Sequence, residues 1–279
     1  MTDIVKEILR EHGSDVIKHH GVKGMRWGHR KEYLTSTTSS SRGSSTVSTQ
    51  RRSGGGSSST VLGSEHFSKS NSTSMNDVAQ KINKSYGHKI DEYIPIDHTK
   101  RSNKRLFAFV DMRNKKGHTI VHVTDNPKFR EELLKCQKRG WFVPTDSKHA
   151  ISANITHESA HSMFHQINTE GKSFKEARKV KEPIAHMRDS AWKKAEEQAR
   201  KDGDVVSKRF RPDGAQYQMA EKLSKYAHGS LFIEEHEAEL FTAYHWSKNP
   251  PKFVDAFMND LHKNMGVEVK PFSGRKVSV

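Results

Sequence analysis

The chain has 279 residues, only 32% of them hydrophobic, and a formal net charge of +15. Its single cysteine, Cys136, excludes an internal disulfide framework, and no apolar run approaches the ~18 residues of a membrane span. The charge permits nonspecific contact with DNA, yet no recognition helix, RNP-like motif or zinc-finger spacing turns it into sequence readout.

The first residues alternate charge with Ile4, Val5, Ile8 and Leu9, which is not the pattern of a secretory signal. Residues 3–18 read as a short amphipathic helix. Next comes His19-His20-Gly21-Val22-Lys23-Gly24-Met25-Arg26-Trp27-Gly28-His29-Arg30. Three glycines in eight residues frame Val22, Met25 and Trp27 in a segment too short to build a core. It reads as a peptide that presents Met25 and Trp27 to another surface. The wording resembles a short motif found near the ends of structural and head-associated proteins of tailed bacteriophages. That resemblance implies a virion component docked on phage head or portal proteins through residues 19–30, present in the host cytoplasm during assembly or after injection.

Residues 35–74 are almost all Ser, Thr, Gly and Arg and read as a flexible linker. The expected division is a docking peptide (1–34), a linker (35–74), a folded domain (75–266) and a basic tail (267–279). Within the domain, a helix is expected from Ser74 through Val78, Ile82 and Tyr86. Leu106–Met112 and His118–Thr124 read as an antiparallel hairpin about a turn at Asn114–Gly117. Pro127 opens a helix through Phe129, Leu133 and Leu134 that stops at Gly140. The fold class is therefore α+β: a small mixed sheet, an active-site helix and a mostly helical second half.

The centre of the pattern is Thr156-His157-Glu158-Ser159-Ala160-His161, which contains His-Glu-x-x-His. On a helix His157 and His161 project from one side, about 6 Å apart along the axis, so both rings reach one ion. Glu158 points about 100° away, beside the ion, where it can take a proton from water that the metal acidifies. With 18 histidines in the chain, shuffling would give this pattern about 0.08 times. On the helical wheel Ala160, Met163, Phe164 and Ile167 share the buried side, Ser159, Ser162 and Gln166 face water, and Glu158 lies toward solvent. His149, His165 and His186 lack ligand spacing and read as ordinary residues.

Further on, a capping box at Ser173 and Glu176 opens one helix, and Pro183 interrupts before a second helix carrying Met187, Ala191, Trp192 and Ala195. A helix is expected over residues 215–227, followed by Glu234-Glu235-His236-Glu237-Ala238-Glu239-Leu240-Phe241-Thr242-Ala243. A last amphipathic helix runs through Phe253, Phe257 and Leu261 to Gly266.

At these residues the chain resembles the zincin metallopeptidases whose third ligand is Glu, closest to the catalytic domain of anthrax lethal factor and similar toxin and phage zincins. Ile155-Thr-His157-Glu158-Ser-Ala-His161, Ser224-Lys-Tyr226-Ala227 and Glu237-Ala-Glu239-Leu-Phe-Thr-Ala243 carry the likeness. It implies Zn2+ held by His157, His161 and Glu239, with Glu158 as base and Tyr226 as the hydroxyl that steadies the oxyanion. Glu235 and Glu237 offer alternative third ligands. The family often has a second Glu four residues after the ligand, where this chain has Ala243. The expected function is a virion-associated zinc metallopeptidase acting on a peptide or protein, with strand His118–Thr124 at the sheet edge to pair with it. The alternative is a non-enzymatic minor head protein with a degenerate zincin domain.

Overall fold

A computed structural model describes residues 60–99, 107–111, 119–169, 183–206, 214–230 and 233–277. The helix expected at 3–18, the 19–30 motif, most of the linker, the turn at 114–117, the capping box at Ser173 and Glu176, and the side chains of His165, Gln166, Ile167 and His186 lie outside the described residues.

The domain begins about fourteen residues before the expected boundary at 75. Leu62 bridges to Glu92, and helix α1 (Lys69–Tyr86) starts from Ser68, whose hydroxyl accepts the Asn71 N–H. Polar composition concealed this start because the hydroxyls serve the backbone. Thr73 and Ser74 donate to the carbonyls of Lys69 and Ser70, while Asn71 and Met75 turn inward. Gly63 is needed at the entrance: its φ is +79°, and a Cβ there would lie 2.0 Å from the Tyr93 carbonyl oxygen.

Three strands follow, β1 (Glu92–Pro95), β2 (Ala108–Asp111) and β3 (Ile120–Val123), in the order β1-β3-β2. β2 and β3 form the expected antiparallel pair, with Val110 opposite Val121 and Phe109 opposite His122. β1 pairs parallel to β3 and carries almost no alternating signal in its four residues. It occupies the far side of β3, so among the described residues β3 is central and β2 is an edge. Strand His118–Thr124 would pair with a peptide only from an edge position, which β3 does not hold.

Helix α2 (Phe129–Lys138) precedes a turn at Gly140, φ +76°, and the motif helix α3 (Ala150–Thr169) follows. Tyr93, Ala108, Val110, Val121 and Val123 pack with Ile151 and Ile155 of α3 in one apolar core. The wheel expected a wet side on α3, but every residue from Ala150 to Phe164 is buried, including Glu158, Ser159 and Ser162. The small hydroxyls find partners inside the fold. Ser159 donates to the Ile155 carbonyl at 2.7 Å, and Ser162 meets Thr119 at 3.1 Å. Elements therefore close on all sides of α3, and a single-helix pattern cannot register that.

The second half contains α4 (Pro183–Lys201), α5 (Ala215–Leu223), α6 (Lys225–Gly229), α7 (Ile233–Trp246) and α8 (Lys252–Met265). The single helix expected over 215–227 is broken at Ser224, whose extended backbone ends α5 and whose hydroxyl caps α6 through the Ala227 N–H. Ala191, Trp192 and Ala195 of α4 join Phe253, Phe257 and Leu261 of α8 in a second core. Helix α7 lies against α3, and the Trp246 indole donates to Thr156 at 2.7 Å.

Residues 267–277 form a fastened strap. Tyr244 donates to the Val269 carbonyl at 2.7 Å, Ser273 N–H donates to the His245 carbonyl at 2.9 Å, and Arg275 pairs with Asp255. Phe272 stacks on His245 with ring centroids 3.7 Å apart.

Beneath this strap the Tyr86 hydroxyl lies 2.8 Å from Nε2 of both His245 and His262. One phenol proton serves one imidazole, so the other must donate to the phenol oxygen. Nδ1 of His245 is buried without a partner, which places that ring's proton on Nε2. Burial pushes His262 down to about 4 and His245 well below its ordinary value, with His262, Arg275 and Lys81 adding to the latter. Both groups bind protons more readily unfolded than folded, so their contribution is complete above about pH 6.5 and is lost as pH falls toward 4. Thermal melts should show the transition temperature dropping across that window, and less steeply for His262→Gln. A flat profile would contradict the assignment.

Candidate metal centre

The site forms where α3 and α7 meet. Two histidines four residues apart present their rings from one side of α3, as the spacing requires. Opposite them, near the start of α7, stands Glu235. His157 Nε2 and His161 Nε2 are 3.3 Å apart, and Glu235 Oε2 lies 3.3 Å from the first and 3.2 Å from the second. All three side chains are buried, and together they could hold a metal ion.

Glu239, assigned as third ligand by the resemblance, stands behind His157. Its Oε1 is 3.0 Å from His157 Nδ1, and its Oε2 accepts the Val143 N–H at 3.3 Å. His157 Nδ1 and Glu239 thus make a close charge contact. Glu237 points elsewhere. At about 100° per residue, Glu235 and Glu239 share one face of α7, while Glu237 lies about 200° round from Glu235. There Arg188 donates to it through Nε at 2.9 Å and through a second guanidinium nitrogen, and Trp192 donates at 2.9 Å. Glu237 thus ties α4 to α7.

The charges of the site are mutually determined. Burial would lower the His157 pKa, but the Glu235 and Glu239 carboxylates outweigh it and hold the ring above its ordinary range. Burial would raise Glu235, yet His161 and His157 keep it well below the usual carboxylate range. Glu158 is fully buried. Burial pushes its carboxyl well up, opposed by His157 and by the Val110 amide of the edge strand β2. The sheet covers the side of α3 expected to face water, so Glu158 lies between the helix and β2.

Tyr226, on α6, stands beside this group with its ring centroid 5.8 Å from that of His157. Its hydroxyl bonds to Glu235, and burial followed by the charges of Glu235 and Glu158 keeps it a neutral phenol. His149 packs at a tilt against Trp246, ring centroids 4.7 Å apart, and takes no part. His157, Glu158, His161 and Tyr226 thus lie in one buried group, with Glu235 against both imidazoles and Glu239 behind His157. The i,i+4 pair of carboxylates was the available signal.

Searches with family models, against curated proteins and against solved structures found no match for this chain.

Proposed function

We propose that this protein is a zinc metallopeptidase of the zincin type with Glu235 as third ligand, carried in or on a phage virion. The donor triangle carries the reading. Ligands about 2.0–2.1 Å from a tetrahedral zinc lie about 3.3–3.4 Å from one another, and the three buried donors are separated by 3.2–3.3 Å. Two imidazoles and one carboxylate are also the donor chemistry of catalytic zinc, which keeps a position for substrate. The Glu235 and Glu239 carboxylates that raise His157 above its ordinary range would also favour a cation there.

Zinc at this site would polarise the scissile carbonyl and acidify water. Glu158 takes the proton from that water and returns it to the leaving amine. Burial favours its protonated form, which suits the second half of that task. Tyr226, kept neutral, donates to the developing oxyanion. Glu239 orients His157 from the Nδ1 side. The edge strand β2, whose Val110 amide reaches toward Glu158, is the strand to which an extended peptide would add. The 19–30 motif supports docking to head or portal proteins.

Incubating the full chain with a mixed peptide library tests the activity. Cleavage that stops on chelation and returns with zinc is expected; cleavage that survives exhaustive chelation, or none from the zinc-loaded chain, contradicts it. Tyr226→Phe should lower kcat about 10²–10³-fold with metal content unchanged. An undiminished kcat would remove the oxyanion role.

One observation favours a second reading. His157 and His161 are each 4% exposed and Glu235 5%, an enclosure that suits a structural metal site in a non-enzymatic minor head protein. In that case the chain binds zinc, and chelation lowers its melting temperature without any cleavage to abolish.

A further inference from the structure

Beside His157 and Glu239 lies a cavity of about 20 Å³, lined also by Asn154 and Gln137 and walled by Leu133 and Val143. Asn154 stands three residues before His157 on α3, one turn away on the same side. It is 8% exposed, and its Oδ1 has no hydrogen-bond partner among the described residues. A buried amide oxygen without a partner is unusual and calls for a ligand or water. The cavity exceeds the roughly 10–15 Å³ that one water needs.

Glu239 supplies the second partner. Each of its oxygens has one contact, Oε1 with His157 and Oε2 with Val143 N–H, and a carboxylate accepts about four hydrogen bonds. A water in this cavity can donate one proton to Asn154 and one to Glu239, which satisfies the orphaned oxygen and adds a restraint on the carboxylate.

We propose that the cavity holds one ordered water bridging Asn154 Oδ1 to Glu239, and that Asn154 is thereby a positioning residue for His157. The inference rests on the metal-site reading above. The chain runs Asn154, water, Glu239, His157 Nδ1, and its effect is to fix the ring whose Nε2 belongs to the donor triangle. A partner of this kind typically changes metal affinity about 10–100-fold when removed.

Cobalt(II) titration of the full chain is the test, read by visible absorption. Asn154→Leu, similar in size but unable to bond water, should bind cobalt about 10-fold more weakly and shift the visible band. Asn154→Ser, which keeps an oxygen and leaves room for water, should restore both. Asn154→Leu in a Glu239→Gln background should add little further loss, because the two act through one contact. Wild-type affinity and spectrum in Asn154→Leu would overturn the proposal. A high-resolution crystal structure of the wild-type zinc form does not depend on the variants folding. A water within about 3 Å of both Asn154 and Glu239 supports the bridge, and its absence there overturns it. If the wild type binds no cobalt, the metal-site reading itself fails and the inference with it, whereas normal wild-type binding with an unaffected Asn154→Leu refutes the positioning role alone.

Discussion

Glu158→Gln is expected to lower peptidase kcat by about 10²–10⁴-fold while zinc content stays at the wild-type level. Glu158 is outside the donor triangle, so its amide replacement leaves His157, His161 and Glu235 as they are. Gln has the same shape but cannot take a proton from water or carry one to the leaving amine. Stability should not fall, because a buried carboxyl held against β2 is replaced by a group with no charge to desolvate. Lost activity with a preserved melting temperature and full zinc content therefore separates chemistry from folding. Retained activity would assign the proton transfer to another group.

Glu235→Gln and Glu239→Gln are expected to part company. The first removes a charged donor whose oxygen lies 3.2–3.3 Å from both imidazoles and should abolish stoichiometric metal binding. The second removes a contact to the far ring nitrogen of His157 and should weaken zinc only about 10–100-fold. Competition titration against a chromophoric chelator measures both. The reverse ranking would restore Glu239 as the ligand and return Glu235 to a supporting role.

What could be read from the residues alone was the part governed by local spacing. His157 and His161 share a side because four residues make about one helical turn, and Val110 opposite Val121 follows from two short apolar runs joined by a turn. The choice among Glu235, Glu237 and Glu239 was not local. It depends on which face of α7 meets α3: Arg188 and Trp192 on α4 engage Glu237, while Glu235 and Glu239 both reach the histidines of α3. The wet side expected for Ser159 and Ser162 failed for a related reason: a strand and neighbouring helices cover α3, which a single-helix pattern does not encode. The early start of α1 and the C-terminal strap were concealed by polar residues whose partners are backbone groups.

The central position of β3 leaves β2 as the edge on the side of the motif helix, and the amide of Val110 on that edge reaches Glu158. A peptide added to β2 would therefore run beside the proposed base, with Tyr226 on α6 packed near His157.

Metal analysis of the purified full-length chain tests the central claim most directly. One zinc per chain is expected in the wild type, with loss in His157→Ala, His161→Ala and Glu235→Gln and retention in Glu237→Gln. A wild-type chain that holds no stoichiometric metal after zinc loading, or a Glu235→Gln chain that holds as much as the wild type, would contradict it.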